Sequence, residues 1–170
     1  MQKQIDECER KIECVLIKYQ ATLEADMAQF VYCGKRIAKK NAVNFNVEKY
    51  AYSLWDINPM NIPGMGAGSI MQLMGELGYD FVEKFETSRH FCKWCNLVPN
   101  NKISGGKLLS SKIPKRKNMV GQIFRMCANS LKDSKNVLGY YFRRMKSNGG
   151  HLQAIVATAH KIATIFYTYG

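Results

Sequence analysis

The chain has 170 residues, 46% of them hydrophobic, and a formal net charge of +12. That length fits one domain, or one domain with an arm, and carries enough apolar residues for a core of its own. No run of about eighteen apolar residues is present, which excludes a helical membrane span, and Met1-Gln2-Lys3-Gln4-Ile5-Asp6 is not a signal peptide. The six cysteines, Cys8, Cys14, Cys33, Cys92, Cys95 and Cys127, show no small-framework spacing, and they read as reduced thiols of a cytoplasmic protein.

The charge is unevenly placed. Thr87 to Gly170 holds fifteen Lys and Arg against one acid, Asp133, whereas Met1 to Glu86 holds ten against twelve acids. A half-chain with a single carboxylate is built to lie beside a polyanion.

In chain order, Gln4 to Phe30 reads as a long helix, with Ile5, Cys8, Ile12, Val15, Tyr19 and Leu23 at heptad-like spacing. Gly34-Lys35-Arg36-Ile37-Ala38-Lys39-Lys40-Asn41 breaks that pattern. A shorter amphipathic helix spans Val47 to Leu54, with a boundary at Pro59. Ile62-Pro63-Gly64-Met65-Gly66 is a tight turn into a helix carrying Ile70, Leu73, Met74 and Leu77, ending near Gly78. Ser88 is the expected cap of a helix reaching about Asn96.

Leu97 to Lys117 reads as a loop, with room for one short β-ribbon through Lys107-Leu108-Leu109-Ser110. A helix is expected from about Asn118 to Leu131. Another follows a Ser134 cap and stops at Asn148-Gly149-Gly150. The last runs from about Leu152 to Tyr167, with Leu152, Ile155, Ala159, Ile162 and Phe166 on one stripe. The fold class is therefore mostly α, with a coiled-coil-like first helix over 1–57 and a second part over 58–170.

Five groups of residues are candidates for chemistry. Ile62 to Gly66 has the form of the hairpin in a helix-hairpin-helix, where Gly64 and Gly66 would bring backbone N–H groups to a phosphate. Ile70 departs from that pattern, standing where a small residue is common. Lys102-Ile103-Ser104-Gly105-Gly106-Lys107 sets a small nucleophile against two glycines and between two lysines, which favours an anionic ligand; a plain basic turn explains the same peptide. Cys92-Lys93-Trp94-Cys95 is a lone CxxC with His90 upstream, and it reads as two small hydrophobes on a helix, not as a metal site. His160 and His151 read as core and cap residues. Tyr140-Tyr141-Phe142-Arg143-Arg144 interleaves rings with arginines that suit water or phosphate. A two-metal nuclease site needs three or four converging carboxylates, and after Glu86 only Asp133 is available.

The order of Ile62-Pro63-Gly64-Met65-Gly66, Gly75-Glu76-Leu77-Gly78, Phe85 and Ser88, Leu97-Val98-Pro99, Ile103-Ser104-Gly105-Gly106-Lys107, Lys112, Lys115 with Asn118, and Ala157-Thr158-Ala159-His160-Lys161 resembles the C-terminal transposase domain of the IS110 (1111-type) family of insertion-sequence transposases. The likeness covers roughly Asn58 to Gly170. The first helix resembles that family's coiled-coil connector, and its apolar stripe, with no obvious partner within a short chain, predicts a homo-oligomer.

The resemblance implies a DNA recombinase of two parts. An N-terminal RNase-H-like domain carries an Asp/Glu/Asp/Asp site for Mg²⁺. The C-terminal domain supplies a serine that joins that site across subunits and attacks the DNA backbone. A structured guide RNA from the element directs donor and target choice. Ser104 corresponds to that serine and Gly105 and Gly106 to its loop. Lys102, Lys107, Lys112, Lys115, Arg116, Lys117, Asn118, Arg143 and Arg144 are the expected DNA-binding residues.

Met119 departs from the pattern, because the family commonly has Arg after Asn118. The metal-binding domain does not lie in these residues, and no cofactor is expected in the chain itself. The expected role is then one half of a transposase, inactive alone; a non-catalytic nucleic-acid-binding helix-hairpin-helix module or a decayed remnant is the alternative.

Overall fold

A computed structural model of the chain describes residues 2–22, 30–33, 43–113 and 118–169. They form a mostly α protein with one two-stranded ribbon, and none of its helices is long and apolar enough to cross a membrane. Two compact units divide at Tyr79 and Asp80. The boundary expected at residue 57 follows the order of motifs; the division at Tyr79 follows spatial contact.

In the first unit, α1 spans Gln2–Thr22, α2 spans Val47–Trp55 and α3 spans Ala67–Leu77. The expected continuation of α1 to Phe30 runs through residues 23–29, which lie outside the described residues. One side of α1 packs through Leu16, and Glu13 accepts a hydrogen bond from the Tyr50 hydroxyl at 3.3 Å. Glu9 accepts from the Asn44 N–H at 3.1 Å. Ile5, Ile12 and Val15 lie exposed.

Asn46 caps α2, its side chain accepting from the Lys49 N–H, and Asp56 ends the helix with φ 54°. The helix thus runs one residue past the expected Leu54, so that Trp55 is buried and donates its indole N–H to the Gly78 carbonyl at 2.8 Å. A 3-10 turn over Pro59–Asn61 starts from Asn58, which accepts from the Met60 N–H. The buried Glu48 carboxylate accepts from the Cys33 N–H at 2.9 Å and from the Asn58 amide at 2.7 Å. This tie gives a buried carboxyl group two donors and holds residues 30–33 to α2.

In the second unit, α4 is Ser88–Trp94, β1 is Asn100–Ser104, β2 is Lys107–Lys112, α5 is Met119–Ser130 and α6 is Val137–Tyr169. Phe81, Phe91, Phe124, Phe142 and Phe166 are fully buried. Phe81 stacks on Phe166 at 5.1 Å between ring centroids, and Phe91 meets Phe124 edge-on at 6.1 Å. Each such ring contributes about 2–3 kcal/mol by leaving water, so this cluster is the main support of the unit. The Tyr167 hydroxyl closes it by donating to the Phe85 carbonyl.

Three sequence expectations need correction here. The cap of α4 is Thr87, in extended backbone with its hydroxyl accepting from the His90 N–H, while Ser88 is already helical. The cap of α6 is Asn136, which accepts from the Gly139 N–H at 2.8 Å; Ser134 instead accepts from the Asn136 amide and orients it. Leu152 lies on the expected stripe but is 79% exposed, because it sits in the first turn after a break at Gly150 (φ 82°). Burial begins at Ala154 and continues through Thr158, Ala159, Ile162, Ala163 and Phe166.

Candidate functional site

The segment around Ser104 is a hairpin: the short β-ribbon expected through Lys107-Leu108-Leu109-Ser110 is present as β2, paired with β1, and takes up more of Leu97 to Lys117 than expected. Asn100, Asn101, Lys102, Ile103 and Ser104 pair antiparallel with Lys112, Ser111, Ser110, Leu108 and Lys107, with a bulge between Lys102 and Ile103. Gly105 and Gly106 make the two-residue loop with φ 55° and 74°. Positive φ at both central positions is the type I′ turn, whose twist matches that of paired strands. The dipeptide Gly105-Gly106 between two strand-compatible segments was the signal for it. Residues 114–117, between the ribbon and α5 in sequence, lie outside the described residues.

Alternation along β1 puts positions 100, 102 and 104 on one face and 101 and 103 on the other. Ser104 is paired with Lys107, so Lys102, Ser104 and Lys107 converge at the tip of one face. All of β1 is exposed, and Ile103 is 67% exposed, so the ribbon is surface and not core. From Leu97 to Ile113 there is no Asp, Glu or His. The Ser104 hydroxyl therefore has no local base, and a serine hydroxyl is a weak nucleophile until its proton is removed. What the tip offers is an unhindered hydroxyl flanked by two cations.

The Ile62–Gly66 segment of the first unit is a turn between α2 with its 3-10 extension and α3. Gly64 has φ 88°, and the Met65 N–H donates to the Ile62 carbonyl at 3.2 Å. Gly66 is the N-cap of α3 and supplies no side-chain cap. A Cβ at Gly66 or Gly68 would meet nothing within 4 Å. The N-cap thus supplies no side chain to the first N–H groups of α3, which suits an anion at a helix start.

The other expected DNA-binding residues are dispersed. Lys112 pairs through its backbone with Asn100. Lys115, Arg116 and Lys117 lie outside the described residues. Asn118 caps α5: its carbonyl oxygen accepts from the Gly121 N–H at 2.8 Å and its amide donates to the Trp94 carbonyl at 3.0 Å. Arg143 donates to the carbonyls of Lys132 and Ser134 at 3.1 and 2.8 Å and lies 4.6 Å over the Tyr140 ring. Its guanidinium holds the turn before α6, while Arg144 is exposed.

The CxxC thiols face inward. Cys92 and Cys95 are fully buried, and burial pushes both above the usual thiol range. Cys92 Sγ lies 3.6 Å from the Thr164 hydroxyl. His160 is half-buried, and desolvation, with Lys161 beside it, holds it below the ordinary imidazole value. His151 meets the Phe142 ring edge-on at 5.6 Å. Among the described residues no three His, Cys, Asp or Glu side chains are grouped so as to hold a metal ion.

One exposed side chain escaped the motif reading. Trp94, inside the CxxC, is 44% exposed although its neighbours Cys92 and Cys95 are buried. A tryptophan among small core residues was the available signal.

Against known proteins, residues 59–141 match the family described as Transposase IS116/IS110/IS902 family. That segment, which holds the Ile62–Gly66 turn, the Ser104 ribbon and α5, is similar to the transposases of this family over 83 of the 170 residues. No curated protein matches the chain.

Proposed function

We propose that this chain is the DNA-engaging, serine-bearing component of an insertion-sequence transposase, with Ser104 as the nucleophile toward the DNA backbone. The observation that carries the reading is the tip of the ribbon, where the exposed Ser104 stands between Lys102 and Lys107 within the family-matched segment. The two lysines would hold a phosphodiester against the hydroxyl and offset the charge that develops on its oxygens. Gly105 and Gly106 carry no side chain, so the backbone can approach within contact distance of the strand.

The Mg²⁺ implied by the family likeness does not fit the described residues, which provide no grouped ligands and no carboxylate on the ribbon. What Ser104, Lys102 and Lys107 supply is position and charge. In the attack the Ser104 oxygen would bond to phosphorus as one P–O ester bond of the strand breaks and its sugar hydroxyl leaves. The Ser104 proton would be taken by groups of a separate metal-binding domain, so the chain by itself would bind DNA without cutting it. A structured guide RNA is a second polyanion that the basic half, Thr87 to Gly170, suits equally by charge. The exposed stripe Ile5, Ile12 and Val15 of α1 suits pairing with a second copy.

The test is covalent trapping. The full chain is mixed with a nicked donor duplex, Mg²⁺ and a complementary RNase-H-like domain. The expected product is a protein–DNA adduct mapped to Ser104 and absent from Ser104→Ala. Reconstituted recombination that proceeds equally well with Ser104→Ala would refute the catalytic role. A purely binding, helix-hairpin-helix role would then stand, favoured by the uncapped start of α3 behind Gly66.

A further inference from the structure

Trp94 sits at the end of α4 with one side of its ring mounted on the core. The Phe91 ring lies nearly parallel to it at 6.4 Å and 21°, and Phe85 tilts against it at 5.3 Å. Phe91 is itself fully buried, so the mount is rigid. The Trp94 carbonyl is gripped by the Asn118 amide, which fixes the backbone under the ring. The outer part of the ring faces water. Among the described residues its indole N–H has no hydrogen-bond partner.

The chain's other tryptophan, Trp55, shows the contrast, being buried with its N–H bonded. Tyr140 is also exposed, but its face is covered by the Arg143 guanidinium. Trp94 is therefore a rigid, open aromatic face.

Its surroundings select an occupant. Lys93 beside it is exposed, as is His90 one turn back. The nearby Glu86 carboxylate lies 3.5 Å from His90 Nδ1, and Asp80 is paired with Lys84 at 2.7 Å. An apolar protein partner would have to bury the Lys93 ammonium beside the ring. A nucleic-acid strand pairs that ammonium with a phosphate and lays a base on the indole.

We propose that Trp94 is a stacking platform for an unpaired base of a single DNA strand. This rests on the DNA-binding reading above and goes beyond it, because duplex DNA keeps its bases stacked on one another and offers only phosphates to such a surface. Strand exchange exposes unpaired bases, and a rigid ring holds one in place without reading its identity.

The test uses the full chain with four probes: a short single-stranded oligothymidylate, the same length of abasic strand, a duplex, and the matching RNA strand. The single strand should quench the exposed tryptophan's emission. Trp94→Phe leaves Trp55 as the sole tryptophan, and its emission should not respond. Trp94→Leu, which keeps apolar volume but removes the ring face, should weaken binding of the single strand at least about fivefold, the low end of base–aromatic stacking. Its affinity for the abasic strand and the duplex should be unchanged.

Circular dichroism of each variant, with Trp94→Phe as the conservative replacement, separates lost stacking from lost fold. Equal single-strand affinity for Trp94→Leu and wild type overturns the platform, as does equal quenching by the abasic strand. Quenching by RNA alone overturns the assignment to DNA. Absence of salt-dependent duplex binding would instead overturn the underlying DNA reading, whatever Trp94 does.

Discussion

Gly121 rests directly on the carbonyl of Cys95: a Cβ at position 121 would fall 1.9 Å from that oxygen. The contact is between two backbones, one in the first turn of α5 and one at the C-cap of α4. Neither can give way as a flexible side chain would. Gly121→Ala should therefore separate α5 from the α4 end and cost about 1–3 kcal/mol, the usual range for overpacking. Gly68→Ala is the control, because a Cβ there meets open space, and alanine gains about 1 kcal/mol of helix propensity over glycine. Thermal melts of the two variants should move in opposite directions.

Much of this architecture was legible in residues with one dominant local effect. Pro59, Gly78 and the Asn148-Gly149-Gly150 run each force a change of backbone, and each marks an element end or break in the fold. Caps were legible to within one or two residues. Thr87 and Ser88 both carry a hydroxyl, and only the extended φ of −147° at Thr87 decides which one caps. The ribbon was less legible because β1 is all polar apart from Ile103 and has no buried face to impose alternation. The Gly121 contact was not legible at all, since nothing local distinguishes a glycine pressed against a distant carbonyl from one in open helix. At the candidate site, Ser104 and its lysines were visible as a motif. Trp94 was hidden because its exposure depends on how Phe85 and Phe91 pack.

Thr158 is fully buried in α6 and its hydroxyl has no hydrogen-bond partner among the described residues. A buried donor left unmade costs about 1–3 kcal/mol. Thr158→Val keeps the shape and removes the hydroxyl, so it should leave the fold intact and raise the urea midpoint. A midpoint lowered by the valine would mean that the hydroxyl is satisfied in solution.

The buried thiols make stability pH-dependent at the alkaline end. Burial raises Cys92 and Cys95 above the ordinary value of 9.0. The unfolded chain ionises first as pH climbs past about 9, while the folded thiols stay neutral, so the contribution is fully present below that pH and is lost above it. Unfolding free energy should fall from pH 8 toward pH 10, each pH unit by at most about 1.4 kcal/mol per thiol. Cys92→Ala with Cys95→Ala should flatten that limb while lowering stability at neutral pH through lost packing. An aromatic disulfide reagent should label the exposed Cys8 and Cys14 in the native chain and the buried pair only after unfolding.

The α1 stripe should drive self-association. Leu16 and Glu13 are engaged with the rest of the first unit, whereas Ile5, Ile12 and Val15, which lie beside Leu16 on the helix, are exposed. A heptad face of this kind is ordinarily covered by a second helix. Sedimentation at high micromolar concentration should give a dimer or larger species, and Ile12→Lys should shift it to the monomer without loss of helix signal. A wild-type chain that is strictly monomeric would sink the idea.

The basic half should set the salt dependence of DNA binding. Each lysine or arginine on phosphate releases condensed counterions, and each contributes about 0.9 to the slope of log affinity against log salt on duplex DNA. Replacing Lys112, Lys115, Arg116 and Lys117 together by glutamine should therefore reduce the slope by up to about 3–4, with little change among duplexes of different sequence, because phosphate contacts carry no base information. Ser104→Ala removes a hydroxyl at an exposed turn and no charge, so its slope should match wild type. Lys102→Gln with Lys107→Gln should lower the slope by up to about 2 if both lysines at the ribbon tip reach phosphate. A slope unaltered by the Lys102 and Lys107 pair, with adduct formation at Ser104 retained, would show that the tip meets DNA without its lysines. An affinity that does not change between low and high salt would count against nucleic-acid binding by this half altogether, because fifteen cations against one acid between Thr87 and Gly170 cannot engage a polyanion without displacing its counterions.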